Sequence, residues 1–241
     1  MGGDGLISRI VNNYRKLSFN VGPTLHRWLA ANHPGVEALI RDADRASLSS
    51  PGSGNAIAQA YHHMILPLAP DRDLRTQVRW GISDFLYRYG RLPEGMWLPE
   101  TAVNLRSLEA LAEAGIRFTI LCPHQCAAVR PPGGAWRDIR GDSRPDTSRA
   151  YRVELPSGRS IAVFFHDDSI AREMAFGTLL DNGDRLAERL AAAIPDDGDD
   201  RMLVVATDGE TFGHHHRFGE MGLARALEVL SGKPGLSLES P

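Results

Sequence analysis

Short apolar runs alternate along this chain with longer segments of helical period, and that alternation most narrows what it can fold into. Met96-Trp97-Leu98, Ile116–Leu121, Ser160–Phe165 and Met202–Ala206 read as short buried strands. Between and around them lie amphipathic stretches. Pro23 and Pro34 each suit the first position of a helix, the second running to about Ala46. Asp71–Tyr89 repeats Val78, Ile82, Phe85, Leu86 and Tyr89 at helical spacing and stops at Gly90. Ala102–Ala114, Leu179–Ile194 and about Phe218 to Leu230 read likewise, and Leu6–Leu17 has the same spacing. Short strands separated by helices specify a parallel sheet covered by helices. At 241 residues and with no dinucleotide glycine fingerprint, the expectation is an α/β chain closed in the manner of a barrel. In such folds the chemistry sits at the carboxyl ends of the strands.

Composition removes several function classes. Lys plus Arg number 27 and Asp plus Glu 30, a net charge of −3, so no basic surface for nucleic acid or an anionic membrane is expected. No apolar run approaches the roughly 18 residues of a membrane helix, and the amino terminus has no secretory apolar core. Two cysteines cannot build a disulfide framework. A cytoplasmic globular protein, with no cofactor assigned, is the expectation. One domain is expected over residues 1–232, with a Pro/Gly-containing flexible tail over 233–241.

Two segments put an acid just past an apolar strand: Trp97-Leu98-Pro99-Glu100 and Val204-Val205-Ala206-Thr207-Asp208. On a parallel sheet both would lie on one rim. Two carboxyls there are the minimum kit for glycosyl transfer, one attacking the sugar C1 and one protonating the leaving oxygen. The plain alternative is that each acid caps the helix that follows it. Trp97 and Phe212 are rings able to stack on a sugar face, or to pack in a core. Among the nine histidines, His63, His124 and His214 stand near strand ends and suit hydroxyl recognition. His214-His215-His216 invites a metal reading, but adjacent side chains point apart, so no metal site is assigned. Cys122 and Cys126 flank His124 without the second cysteine pair of a zinc site. His166-Asp167-Asp168 follows a strand and could add polar contacts or start a helix.

At these motifs the sequence resembles glycoside hydrolase family 57. Trp97-Leu98-Pro99-Glu100 resembles the family segment that carries the nucleophile. Asp208-Gly209-Glu210-Thr211-Phe212-Gly213 resembles the segment that carries the acid/base aspartate. Gly54-Asn55 with Tyr61-His62-His63-Met64-Ile65-Leu66-Pro67 resembles the family's second motif, with Ile57 or Ala58 where an acid is usual. Asn13-Tyr14, Ser18-Phe19-Asn20 and Gly22-Pro23-Thr24-Leu25 add to the likeness, which runs from about residue 6 to about residue 230. The resemblance implies an incomplete (β/α)7 barrel and a retaining hydrolase or transglycosylase acting on an α-glucan or oligosaccharide. It makes Glu100 and Asp208 catalytic, with Trp97, His63, His124, Glu210, Phe212 and His214 around the sugar. The family's first motif, a His-x-His or His-Gln-Pro run expected before Leu6, is absent, so the barrel is expected to lack its first strand. Two other readings stay open: a metal-dependent polysaccharide deacetylase using Asp208 with His214 or His216, and a carbohydrate-binding remnant without activity.

Overall fold

A computed structural model describes residues 10–48, 54–141 and 143–239. They form an α/β chain in two compact units. The first unit holds Asn12–Ile120 and Arg152–Val163, and the second holds Leu121–Tyr151 and Phe164–Ser237.

The first unit begins with two helices, α1 (Pro23–Asn32) and α2 (Pro34–Ser47), each with proline at its start. The fixed φ of proline suits that position, where no backbone N–H is needed. The buried stripe of α1 is Pro23, His26 and Leu29, whereas Leu25 and Trp28 are half exposed. The inward face is therefore rotated from the Leu25–Trp28–Leu29 face that the apolar spacing predicts. The reason is His26, which is buried because the hydroxyl of Tyr89 meets its Nε2 at 3.0 Å.

Strand β1 (Ala58–Gln59) runs parallel to β2 (Met96–Trp97), with Ala58 opposite Met96. Bridges between Phe19 and Ala56 and between Gly95 and Phe118 continue this parallel order. Helix α3 (Asp71–Tyr89) matches its expected bounds, with Asp71 and Asp73 favourable in its first turn and Gly90 in the left-handed conformation at its end. It lies against β1 at Gly81, where any Cβ would run into the carbonyl of Gln59. Helix α4 (Leu105–Glu113) starts from a reciprocal Asn104–Ser107 cap, three residues later than expected. A buried clamp joins these parts. Arg91 donates to both carboxylate oxygens of Asp44, at 2.7 and 3.1 Å. The same pair holds the N–H and C=O of Ala56 at 2.8 and 2.9 Å, fixing the chain just before β1.

Strands β3 (Phe118–Leu121) and β7 (Ser160–Phe165) start in this unit. The N–H of Ala162 donates to the carbonyl of Arg117, and that of His166 to Leu121. The constant offset makes the pairing parallel. Strand β6 (Ala150–Glu154) reaches β7 through a tight turn in which Gly158 has φ 82°.

The second unit adds the small antiparallel pair β4 (Ala128–Val129) and β5 (Arg137–Asp138), inside what the composition marks as loop. Three helices pack there: α5 (Asp168–Phe176), α6 (Gly183–Ala191) and α7 (Gly219–Ser231). Ile170, Met174, Leu179, Leu180, Leu186, Ala226 and Leu230 make their shared core.

Several expectations change. The strands among the described residues pair in three short sheets, of two, three and two strands. The predicted helix over 179–194 splits at Asn182, whose side chain accepts from the N–H of Arg185 at 3.0 Å and starts α6 anew. Met202–Ala206 is not a regular strand. It is held at single points, Met202 N–H on Ser148 and the Val204 carbonyl under Asp167 N–H. Of the expected helix over 6–17, residues 6–9 lie outside the described residues, and the rest gives one 3-10 turn, Asn13–Arg15. There Asn12 takes the N–H of Tyr14 at 3.1 Å and competes with helical pairing. The Ser/Pro/Gly-rich run Ser47–Asn55 reads as a loop by composition, and its residues 49–53 lie outside the described residues.

Candidate active site

Glu100 stands on a 3-10 turn, Pro99–Thr101, directly after β2. Leu98 and Pro99 are buried and anchor the turn, while Trp97 is half-buried beside β1. Glu100 and Thr101 both have positive φ, 56° and 51°. Two successive side-chain-bearing residues in the left-handed region carry strain of roughly 1–3 kcal/mol each. That strain is met where it projects a carboxylate into solvent. The Glu100 carboxylate accepts a hydrogen bond from Nε2 of His63 at 2.8 Å. It does not cap a helix, so the plain capping alternative fails at Glu100.

The histidine is itself held from behind. The N–H of His62 donates to Oε1 of Gln77 at 2.7 Å, and Nε2 of Gln77 meets Nδ1 of His62 at 3.1 Å. Gln77 is buried on α3. Its signal was visible as one polar residue within the apolar stripe of that helix, beside Val78. Neither Gln77 nor the backbone strain at Thr101 belongs to a motif of the sequence.

Asp208 belongs to the second unit. It precedes the 3-10 turn Gly209–Thr211, yet its side chain makes no capping bond. Among the described residues no hydrogen bond or ion pair engages its exposed carboxylate. Its loop is compact all the same. The backbone N–H of Thr211 returns to the Asp208 carbonyl at 3.1 Å, His215 N–H to Glu210 at 2.9 Å, and Gly213 N–H to His216 at 3.0 Å. Gly213 has φ 100°, which favours glycine there. Glu210 and His214 are exposed, and the His214 ring lies across that of His215 at 4.9 Å. Phe212 is half-buried and packs against the helical core of its unit.

His216 turns inward, its Nε2 2.8 Å from the carbonyl of Ala175. That bond occupies one of the two ring nitrogens through which His216 could reach a metal. Among the described residues no group of three His, Cys, Asp or Glu side chains converges to hold an ion.

His124 meets Sγ of Cys122 with its Nδ1, at 2.8 Å. Burial pushes the Cys122 thiol up. His124 itself is exposed. His166 is lowered by burial, and its Nδ1 is buried without a hydrogen-bond partner. Asp167 caps α5, accepting from the N–H of Ile170 at 2.9 Å, so the Asp167-Asp168 pair is a helix start. Among the described residues no helix is long and apolar enough to cross a membrane.

The structure thus brings His63 to Glu100 and gathers Asp208, Glu210, Phe212 and His214 on one loop. An alpha-amylase 1 of Dictyoglomus thermophilum is 31% identical over 96 residues, 39% of this chain and 13% of that protein. A 4-alpha-glucanotransferase of Thermococcus litoralis is 24% identical over 207 residues, 85% of this chain and 28% of that protein. A crystal structure of the 4-alpha-glucanotransferase from that organism matches the fold with a TM-score of 0.71 at 20% identity, over 95% of this chain and 33% of that one. This chain therefore spans less than a third of the length of these curated relatives. The sequence model of glycosyl hydrolase family 57 matches residues 10–233, nearly all of the chain. The chain belongs to glycosyl hydrolase family 57.

Proposed function

We propose that this chain is the catalytic domain, over residues 1–232, of a retaining hydrolase or transglycosylase acting on α-linked glucans. The observation that carries this reading is Glu100, strained, solvent-facing and held by His63 at 2.8 Å, at the end of a strand. A side chain held so is pre-organised for attack, because little orientation remains to be lost in the transition state. The family and the relatives supply the substrate class.

In this mechanism the Glu100 carboxylate attacks the sugar C1 as the glycosidic C–O bond breaks. The leaving oxygen takes the proton of the Asp208 carboxyl. Asp208, now a carboxylate, removes a proton from water or an acceptor sugar hydroxyl. That oxygen attacks C1, and Glu100 is released. Two inversions give retention. His63 keeps the nucleophile oriented. Trp97, His124, Glu210, His214 and Phe212 shape the surroundings of the sugar.

The test is an assay with short maltooligosaccharides, beside Glu100→Gln and Asp208→Asn, with products followed by chromatography. Loss of turnover in both variants is expected. Turnover that survives in either variant removes the two-carboxylate reading.

A further inference from the structure

An aromatic cavity lies on the outer face of α3, apart from Glu100. Trp80, Ser83, Asp84 and Tyr87 recur at the i, i+3, i+4, i+7 spacing of one helical face, and Tyr61 closes the end. These five residues line a space of about 380 Å³. That size falls within the roughly 300–1,000 Å³ of small-molecule sites. The rings are open to solvent: Trp80 is 51% exposed and Tyr87 84%. Tyr61 and Trp80 meet edge to face, centroids 5.6 Å apart and planes at 79°, so they form a fixed corner. Seven residues of helix separate Trp80 from Tyr87, about 10.5 Å along the axis.

The polar atoms between the rings are fixed acceptors. Asp84 is held by Arg88 through two bonds, at 2.8 and 3.0 Å, and the pair is mostly buried at the floor of the space. Ser83 donates to the carbonyl of Arg79 at 2.9 Å, which leaves its oxygen able to accept. Flat apolar faces with interleaved acceptors complement a polyhydroxylated ring, whose C–H faces are apolar and whose rim donates. Hydrogen bonds tie the Tyr61 wall of this space to the segment that carries His63. Tyr61 N–H is bonded to the carbonyl of Gln77 at 3.1 Å, and the Gln77 side chain holds His62, next to His63.

We infer that Tyr61, Trp80 and Tyr87 form an accessory site that binds an α-glucan chain across more than one sugar residue. The identity of the sugar rests on the proposed function, and the cavity itself does not. Binding here is expected to favour long glucans over maltose by keeping a chain near the unit that carries Glu100.

The experiment measures maltoheptaose and β-cyclodextrin binding by titration calorimetry with the full chain bearing Glu100→Gln, which prevents turnover. Trp80→Ala and Tyr87→Ala are added singly, with the thermal midpoint as a check of folding. Each is expected to weaken binding by roughly fivefold, the worth of one ring contact. Both side chains are largely solvent-exposed, so at least one variant remains folded for the comparison. Affinity unchanged in both variants overturns the inference, even where the chain without Glu100→Gln still turns over maltooligosaccharides. Absence of binding before either ring is removed overturns it too. Ring-dependent binding in a chain without any turnover upholds the accessory site and removes the catalytic reading alone. A dimer that dissociates on Trp80→Ala, with glucan affinity unaltered, assigns the face to a second copy of this chain and overturns the inference.

Discussion

Nε2 of His63 lies 2.8 Å from Oε1 of Glu100, and the peptide that carries this histidine is pinned by Gln77 of α3. The bond crosses from the segment after β1 to the turn after β2. It fixes one carboxylate oxygen and leaves the other free to react.

Removing that bond should affect turnover and not folding, because both side chains are mostly exposed. His63→Ala is expected to lower kcat by roughly 10²-fold, the scale of a misplaced reacting group. His63→Gln, which keeps a donor, should recover part of it. Gln77→Leu should act in the same direction by freeing His62. Steady-state kinetics on maltooligosaccharides check this, and a KM change with kcat intact would contradict it.

The positive φ of Glu100 sets activity against stability. Glycine tolerates that conformation, where a side chain costs about 1–2 kcal/mol, less the roughly 0.5–1 kcal/mol of unfolded-chain entropy that glycine adds. Glu100→Gly is thus expected to hold or raise the thermal midpoint by about 2–4 °C while abolishing turnover. Calorimetry of the two proteins decides, and a fall of several degrees would show that the turn is unstrained.

The Asp44–Arg91 clamp is a stability element. Asp44 is 1% exposed and serves Arg91 and the Ala56 N–H together. Asp44→Ala leaves a guanidinium largely buried and unpaired, at a cost of roughly 3–5 kcal/mol. Loss of soluble protein or a strongly lowered denaturation midpoint is expected. Gly54, whose Cβ would strike both partners, should tolerate alanine poorly for the same reason.

His26 gives the chain an acid-sensitive joint. Burial, then the nearby Arg88, lowers its pKa from 6.5 to about 4, against the opposing pull of Glu37 and Asp84. Its Nδ1 is buried without a hydrogen-bond partner, 3.7 Å from Glu37. The folded state therefore binds this proton less readily than the unfolded state. Stability is full above pH 6.5 and falls as the pH drops towards about 4. The loss approaches about 3 kcal/mol at the acid end. Urea midpoints between these pH values should show the slope, and His26→Gln should flatten it. A slope unchanged in that variant would assign the acid sensitivity elsewhere.

Signals held in contiguous residues specify several of the elements and both acidic segments. Apolar period and a terminal glycine are local signals, so α3 was legible to the residue. So was β7, whose outward and inward side chains alternate. Trp97-Leu98-Pro99-Glu100 and Asp208-Gly209-Glu210 were legible because an acid after an apolar run is a feature of contiguous residues. What only the tertiary structure decided depends on partners far apart in the chain. Burial of His26 follows from Tyr89, so α1 turns a different face inward than its leucine and tryptophan suggest. Asn182 is a local exception that apolar period overlooks: its side chain takes the N–H of Arg185, three residues on, and starts a new helix. The His63–Glu100 bond and the left-handed backbone beneath it arise where two strand ends are brought side by side. No spacing within either segment encodes that meeting, because it depends on the parallel pairing of Ala58 with Met96.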